Sequence, residues 1–275
     1  MLFRSTWNAV ESGDFTYNMS LTPSYNLVNK LVSLSGTYNG AELSYGTRDL
    51  GGMGAPGQSS VPLVRAEEGK PIGQLWALVY KEIDENGNLI FEDVHKDGTI
   101  DPLDRQVVGH GLPKLLLGFG NNFTYKNWDL SIFFRGVFGH DLINSYRAFY
   151  EVPQMIKSYN LPKTAKNMKN PKTGVYLNNS SGILSSYHVE NGDFVALDNM
   201  SLGYNFKLPA GGQFNKIRLY LAGNNLFYIT GYKGVDPNPR YGDIEDNNNP
   251  LVPGVDRRNT WFRTRSVTFG ANFVF

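Results

Sequence analysis

The sequence predicts an all-β chain, a portion of an antiparallel transmembrane β-barrel with long extracellular loops. Three observations carry that prediction: a two-faced strand at 263–275, an alternation of short and long connections, and a composition poor in charge but rich in aromatics. In the last strand Val267, Phe269, Ala271, Phe273 and Phe275 share one parity, and Thr268, Gly270, Asn272 and Val274 share the other. A period of two with aromatics on one side marks an amphipathic strand. A soluble sandwich uses such strands as well. Here, however, the sequence stops on a Phe without a polar tail, in the manner of a barrel's closing strand.

Charged residues make up 19% of the 275, against 13% aromatic, with 16 Tyr, 17 Phe and 30 Gly. That mixture suits alternating strands joined by polar turns, in one large all-β domain or two smaller ones. A net charge of +1 gives no electrostatic basis for binding nucleic acid. The absence of Cys removes disulfides and thiolate metal sites. No apolar run approaches the ~18 residues of a transmembrane helix, which says nothing against barrel strands. The opening MLFRSTWNAV is not a signal peptide, having neither a basic region nor an apolar core. An exported barrel with this start is expected to be the later part of a longer protein.

Strands are expected at Leu2–Val10 and Phe15–Val28, joined by Glu11-Ser12-Gly13-Asp14. Phe15, Tyr17, Met19 and Leu21 line one face of the second, and Pro23 should end it or bulge it. Ser33–Ser60, with GGMGAPGQSS at its tip, has no period and reads as an exposed loop. Between Val61 and Asp93, two apolar pieces flank an Asn86-Gly87 hairpin signal. Residues 71–93 either span the membrane or decorate an outer loop.

The clearest hairpin is Leu115–Tyr125 with Trp128–Phe138 around Lys126-Asn127. Leu117, Phe119, Phe123 and Tyr125 face Leu130, Ile132, Phe134 and Phe138, while Gly118, Gly120, Asn122, Thr124, Asp129, Ser131 and Arg135 occupy the other side. Polar residues there suit a wet lumen better than a dry core. Residues 139–193 form a long connection in which Leu142, Tyr146, Phe149 and Tyr150 fall at helical spacing. Further strands follow at Phe194–Leu208 and Ile217–Tyr228, around a turn at 209–212. A third long loop, Thr230–Trp261, precedes the last strand.

Connections are thus short at 11–14, 126–127 and 209–212, and long at 29–70, 139–193 and 229–262. Short periplasmic turns and long outer loops are how outer-membrane barrels are built, here with about seven to nine strands. Both ends of that count are odd, and the first strand runs towards the periplasm. The expectation is the C-terminal part of a larger barrel, with an open edge on the last strand.

One segment has metal-ligand spacing. Asp93, Asp97, Asp101 and Asp104 stand at positions 1, 5, 9 and 12 of a calcium-like loop, with Gly98 at 6 and the Thr99 carbonyl at 7. His95 at position 3 is a poor hard-oxygen substitute, so a structural Ca²⁺ site competes with a solvated acidic turn. The other His residues (110, 140 and 188) lack ligand spacing and are expected at the surface. Gly118-Phe-Gly120-Asn-Asn lies inside a strand pattern and is no dinucleotide loop. Asn18-Met-Ser20 and Asn122-Phe-Thr124, though sequons, also fall in strands. No nucleophile elbow or spaced carboxylate pair suggests an enzyme. The loop aromatics Tyr146, Phe149, Tyr150, Tyr159, Tyr232, Tyr241 and Trp261 would pack on neighbours or stack on sugars.

Three stretches together resemble one family. They are PIGQLWALVY with DVHKDGTIDPLDRQVVG and LPKLLLGFGNNFTYKNWDLSIFFRGVFGHDLIN; NGDFVALDNMSLGYNFKLP; and IRLYLAGNNLFYITGYKGVDPNPR with TRSVTFGANFVF. In order and spacing they are similar to the C-terminal half of SusC/RagA-type TonB-dependent outer-membrane receptors, from about residue 70 onward. The resemblance implies a barrel of about 22 strands with an N-terminal plug that imports oligosaccharides, glycans or peptides. It also implies a SusD-like surface lipoprotein, energy from the TonB complex through the plug, and a Bacteroidetes-like Gram-negative outer membrane. The acidic loop matches the family's DxNxDGxID element except at His95. With signal peptide, TonB box and plug absent from the sequence, the chain alone is expected not to transport. The alternatives are a passive structural barrel and a soluble β-sandwich carbohydrate-binding module or glycosidase.

Overall fold

The period-two runs do form strands, and the longest of them assemble into one wall. The computed structural model describes residues 2–27, 29–53, 61–178, 184–209, 213–239, 251–258 and 260–275. The chain opens with β1 (Ser5–Ser12) and β2 (Phe15–Tyr25), then the short strands β3 (Gly36–Tyr38), β4 (Ala41–Leu43) and β5 (Thr47–Leu50). Next come β6 (Val64–Glu67), β7 (Gln74–Ala77), β8 (Tyr80–Ile83), β9 (Leu89–Phe91) and β10 (Gln106–His110). The long hairpin β11 (Leu115–Tyr125) and β12 (Trp128–Phe138) leads to β13 (Asp141–Asn144), helix α1 (Ser145–Tyr150) and β14 (Val189–Asn191). The chain finishes with β15 (Phe194–Phe206), β16 (Lys216–Thr230), β17 (Val255–Asp256) and β18 (Ser266–Val274).

Seven strands form the wall in the order β1-β2-β11-β12-β15-β16-β18. Every neighbouring pair is antiparallel. Among the described residues, strands β1 and β18 each pair on one side only. Register fixes two faces. Val10, Tyr17, Phe123, Leu130, Leu202, Leu221 and Phe269 run side by side across the bare face. One residue along, Asn8, Asn18, Asn122, Ser131, Ser201, Ala222 and Thr268 cross the opposite face. A one-residue slip would exchange the two rows, so the strong contrast between them pins the register.

The bare face leaves large apolar groups uncovered, with Val267 at 70% and Phe269 at 72% exposure. Towards the tight turns it carries a cluster of rings. Trp128 meets Tyr204 at 4.8 Å between centroids, Tyr204 meets Phe206 at 4.9 Å, and Phe214 meets Phe275 at 4.9 Å. An apolar band edged by aromatics is the pattern of a lipid-facing surface.

Several details differ from the sequence reading. Pro23 neither ends nor bulges β2, which continues to Tyr25. Its carbonyl accepts from Phe3 N at 3.0 Å, so the position lacking an N–H also faces β1, beyond that strand's last ladder pair at Ser5. The ladder to β11 loses nothing. The bulge lies instead in β1, between Asn8 and Val10. Segment 33–60 holds the hairpin β3–β4 and strand β5 rather than loop alone; residues 54–60 of its tip lie outside the described residues. The pieces within 61–93 do not join the wall: β7 lies in a four-stranded sheet β10-β7-β6-β5, and β8 forms a two-stranded sheet with β9 among the described residues. Gly87 supplies the left-handed turn of that hairpin at φ +85°. Leu142 belongs to β13, which leaves α1 only six residues long. The turn at 209–212 lies mostly outside the described residues.

Beyond one end of the wall the loops build a second core. Met53, Leu63, Val64, Leu75, Ile143, Phe149, Val252 and Val255 are buried together there, drawn from all three long connections.

Substitutions on the two faces should separate sharply. In lipid, Leu130→Arg should cost about 2–4 kcal/mol, whereas Ser131→Arg, on the polar face, should cost under about 1 kcal/mol. Denaturant unfolding in lipid vesicles measures both.

Candidate functional site: the covered face of the wall

The polar parity of the wall carries cross-strand hydrogen bonds. Asn199 Nδ2 donates to Asn224 Oδ1 at 2.8 Å, and Asn224 Nδ2 donates to Ser266 Oγ at 3.2 Å. Asp129 is held from two strands, by Arg218 Nε at 3.0 Å and Asn205 Nδ2 at 2.8 Å. A second ion pair arises from a bulge. Against β12 the register of β15 shifts between Leu197 and Asn199, leaving Asp198 as the extra residue, while on the other side Asn225 and Leu226 of β16 stand opposite it. Its carboxylate takes two donors from Arg135, Nε and Nη2, the latter at 3.1 Å. Bidentate pairing fixes the guanidinium plane.

Arg135 is where the wall meets a loop arm. A cavity of about 480 Å³ lies here, lined by Thr22, Leu116, Gly118, Phe133, Arg135 and Asn238. With its amide oriented to suit its neighbours, Asn238 Oδ1 accepts from Arg135 Nη1 at 3.2 Å and Arg263 Nη2 at 3.3 Å. Arg263 Nε donates to Asp236 at 2.7 Å, and its Nη1 donates to Tyr228 Oη at 3.2 Å. The arm itself hangs from Asp256, which is wholly buried. One oxygen of that carboxylate accepts from Tyr232 Oη at 2.7 Å and from Val235 N at 2.9 Å. A chain of polar contacts thus runs from Asp198 on the wall through Arg135, Asn238, Arg263 and Asp236 to the loop core. Burial raises the Asp256 carboxyl above its ordinary range despite the hydrogen bonds it accepts. Burial also raises the Tyr232 phenol, reinforced by the nearby Asp256 charge. The phenol therefore stays a donor.

A second buried cluster ties α1 to β14. Arg147 approaches Glu151 at 2.8 Å and also pairs with Glu190. Burial alone would lower the Arg147 pKa, but the two carboxylates more than reverse that and raise it. Glu190 further accepts from Asn144 Nδ2 at 3.2 Å and Lys233 N at 3.0 Å, reaching the start of the arm. His188 lies beside this cluster at 3% exposure. Burial, then the Arg147 charge, lowers its pKa from 6.5 to about 3.

The acidic loop 93–104 is arranged around its own backbone. Asp93 accepts from Gly98 N at 2.9 Å, Asp97 from Thr99 N at 2.8 Å, and Asp101 caps a 3₁₀ turn through Leu103 N at 2.6 Å. Asp104 is buried and accepts from Val94 N at 2.8 Å, His95 N at 3.2 Å and Asp101 N at 3.0 Å. Those bonds, the Asp101 amide first, lower its pKa despite burial. Among the described residues no three carboxylate or imidazole groups converge as a cation site would need.

Two histidines correct the surface expectation. His140 and His188 are buried, at 4% and 3% exposure, because the loops fold back into a core that no local pattern announces. The loop aromatics divide. Phe149 packs on Tyr150 at 4.7 Å and Tyr159 at 5.5 Å, and Tyr146 packs on Tyr150 at 4.5 Å. Tyr232 is committed to Asp256, Trp261 stands 83% exposed, and Tyr241 lies outside the described residues. The sequence reading passed over Asp256 and the Arg147 cluster. Spacing Arg147 and Glu151 by one helical turn was the only local signal.

No protein-family model matches the chain. Among curated proteins, a TonB-dependent receptor of Formosa agariphila is 26% identical over 293 residues, covering 97% of this chain and 27% of that protein. A second TonB-dependent receptor of that organism is 32% identical over 202 residues, 69% of this chain and 19% of the relative. The TonB-dependent receptor SusC of Bacteroides thetaiotaomicron is 29% identical over 173 residues, 60% and 17% of the two chains. Among solved structures, that of the RagAB peptide transporter superposes with a TM-score of 0.70 at 18% identity, over 98% of this chain and 28% of that one. The same importer in its open-open state matches with a TM-score of 0.70 at 20% identity. The chain spans about a quarter of the relatives and structures that it matches along nearly its whole length.

Acidification should loosen the loop core. His188 is bound neutral in the fold and protonates more readily when unfolded, so its contribution is complete above pH 6.5 and lost as pH falls towards 3. Limited proteolysis within 140–190 should accelerate across that window, and His188→Gln should flatten the dependence.

Proposed function

We propose that this chain, similar along nearly its full length to SusC/RagA-type TonB-dependent receptors, forms barrel wall and extracellular loops of an outer-membrane nutrient importer. The observation that supports this best is the division of the wall. One face is apolar and ringed by aromatics; the other is a polar surface on which the loop arm rests. In this reading the bare face meets lipid and the covered face lines the passage.

The imported nutrient is an oligosaccharide, glycan or peptide, admitted between the polar wall and the arm. The free edges of β1 and β18 pair with further strands of a barrel of about 22, since unpaired backbone groups are costly in hydrocarbon. This segment lies in the C-terminal barrel. The plug that engages the TonB complex belongs to the remainder, so the chain alone does not transport. The outer loops meet a SusD-like surface lipoprotein, in the outer membrane of a Bacteroidetes-like cell. No catalytic role is assigned.

The test is uptake. Disrupting the gene should abolish uptake or growth on a particular oligosaccharide or peptide, and dissipating TonB energisation in the intact strain should do the same. Unchanged uptake of every nutrient tried would remove the importer reading. A monodisperse monomer in the absence of detergent would instead favour the soluble alternative.

A structural calcium ion on Asp93, Asp97, the Thr99 carbonyl, Asp101 and Asp104 is also proposed, supported by residue spacing. The observed hydrogen bonds favour a second reading, a loop closed by its own backbone caps. Protease sensitivity near residues 90–110 decides between them. Under the calcium reading Asp97→Ala raises it in calcium but not in chelator; equal effects in both conditions leave the caps alone.

A further inference from the structure

The loop surface on 153–178 has a chemistry that the wall does not explain. From residue 152 to 189 the sequence holds no Asp or Glu, yet it holds Lys157, Lys163, Lys166, Lys169 and Lys172. All five are exposed. Among the described residues none of them has a carboxylate within ion-pairing distance. The Lys169 ammonium stands 5.9 Å from the centre of the Tyr176 ring. Uncompensated cations gathered on one surface create a field that concentrates anions.

The same segment encloses a cleft of about 660 Å³ lined by Ile156, Tyr159, Asn160, Pro162, Lys163, Lys166 and Tyr176 among others, with no acidic residue in its wall. That volume lies within the range of small-ligand sites. The tyrosines are partly exposed, Tyr159 at 42% and Tyr176 at 50%. Flat rings offer an apolar surface to the C–H face of a pyranose, while ammonium groups and the Asn160 amide suit charged and hydroxyl substituents. The cleft is built rather than draped. Buried Asn170 donates to Ile83 O at 2.7 Å and accepts from Lys172 N and Thr173 N, both at 2.9 Å. Met168 and Leu177 pack with Ile83 of the β8–β9 hairpin. Two 3₁₀ turns, Pro153–Lys157 and Lys163–Asn167, bracket the opening. They offer no strand edge for an extended peptide to join.

We infer that this cleft binds an acidic oligosaccharide, one carrying carboxylate or sulfate groups. The inference rests on the importer reading and specifies an anionic glycan as ligand for an outer-loop site.

Calorimetric titration of the detergent-solubilised full chain tests it, with a uronate oligosaccharide, a sulfated one, a neutral one of equal length and a short polyglutamate. The acidic sugars should bind and weaken steeply as salt rises, while the neutral sugar binds at least about tenfold more weakly. Lys163→Glu with Lys166→Glu should lower acidic-sugar affinity by roughly tenfold or more. The milder Lys166→Gln and Tyr176→Ala should each lower it by a smaller factor, and their circular dichroism should match the parent. Equal binding of neutral and acidic sugars, tighter binding of polyglutamate, affinity untouched by the lysine variants, or no binding of any acidic sugar would each overturn the inference. TonB-dependent uptake of a neutral nutrient would survive those results, so the importer reading can stand when this one falls.

Discussion

The antiparallel ladder of the wall is the constraint on which the other features depend. A sheet facing hydrocarbon has no water to satisfy its backbone, so each strand must give every N–H and C=O to a neighbour. That requirement makes strands of 8 to 15 residues whose register is interrupted at bulges, from β1 and β2 to β16 and β18. It explains why Pro23 is tolerated only where its missing N–H faces beyond the end of β1. It also gives the Asp198 bulge meaning. The extra residue interrupts pairing at one level, and in exchange a carboxylate is aimed at Arg135.

From Arg135 the wall is coupled to the loops. The relay through Asn238, Arg263 and Asp236 leads to Asp256, a buried carboxylate that organises backbone and a phenol. Such a group is costly to bury unless fully hydrogen-bonded. Its neighbours therefore act as a set, and the position of the arm over the polar face follows from that set. The Arg147, Glu151 and Glu190 cluster plays the corresponding part for α1 and β14. Both clusters centre on buried groups outside the strands of the wall.

The wall was legible in the sequence because its signal is local. Alternation alone placed β11 and β12 at Leu115–Tyr125 and Trp128–Phe138, and the two-residue turn between them fixed their register. The loop core was not legible, because its contacts join residues such as Met53, Ile143 and Val255 that are about a hundred positions apart. Short strands such as β13 and β17 carry too few residues to show a period, and their pairing is parallel, which needs a long crossover. For the same reason His140 and His188 read as surface residues. The acidic loop shows the opposite difficulty. Its spacing was plain, but spacing cannot distinguish carboxylates that coordinate an ion from carboxylates that cap backbone amides.

The central claim is that one face of the wall meets lipid and the other meets water. These 275 residues contain no cysteine, so single cysteines placed along β15 at residues 200 to 205, compared with the unsubstituted parent, report on their own positions. In native membranes, a lipid-soluble maleimide should label positions 200, 202 and 204, and a membrane-impermeant one positions 201, 203 and 205. Labelling by the aqueous reagent at both parities would contradict the account.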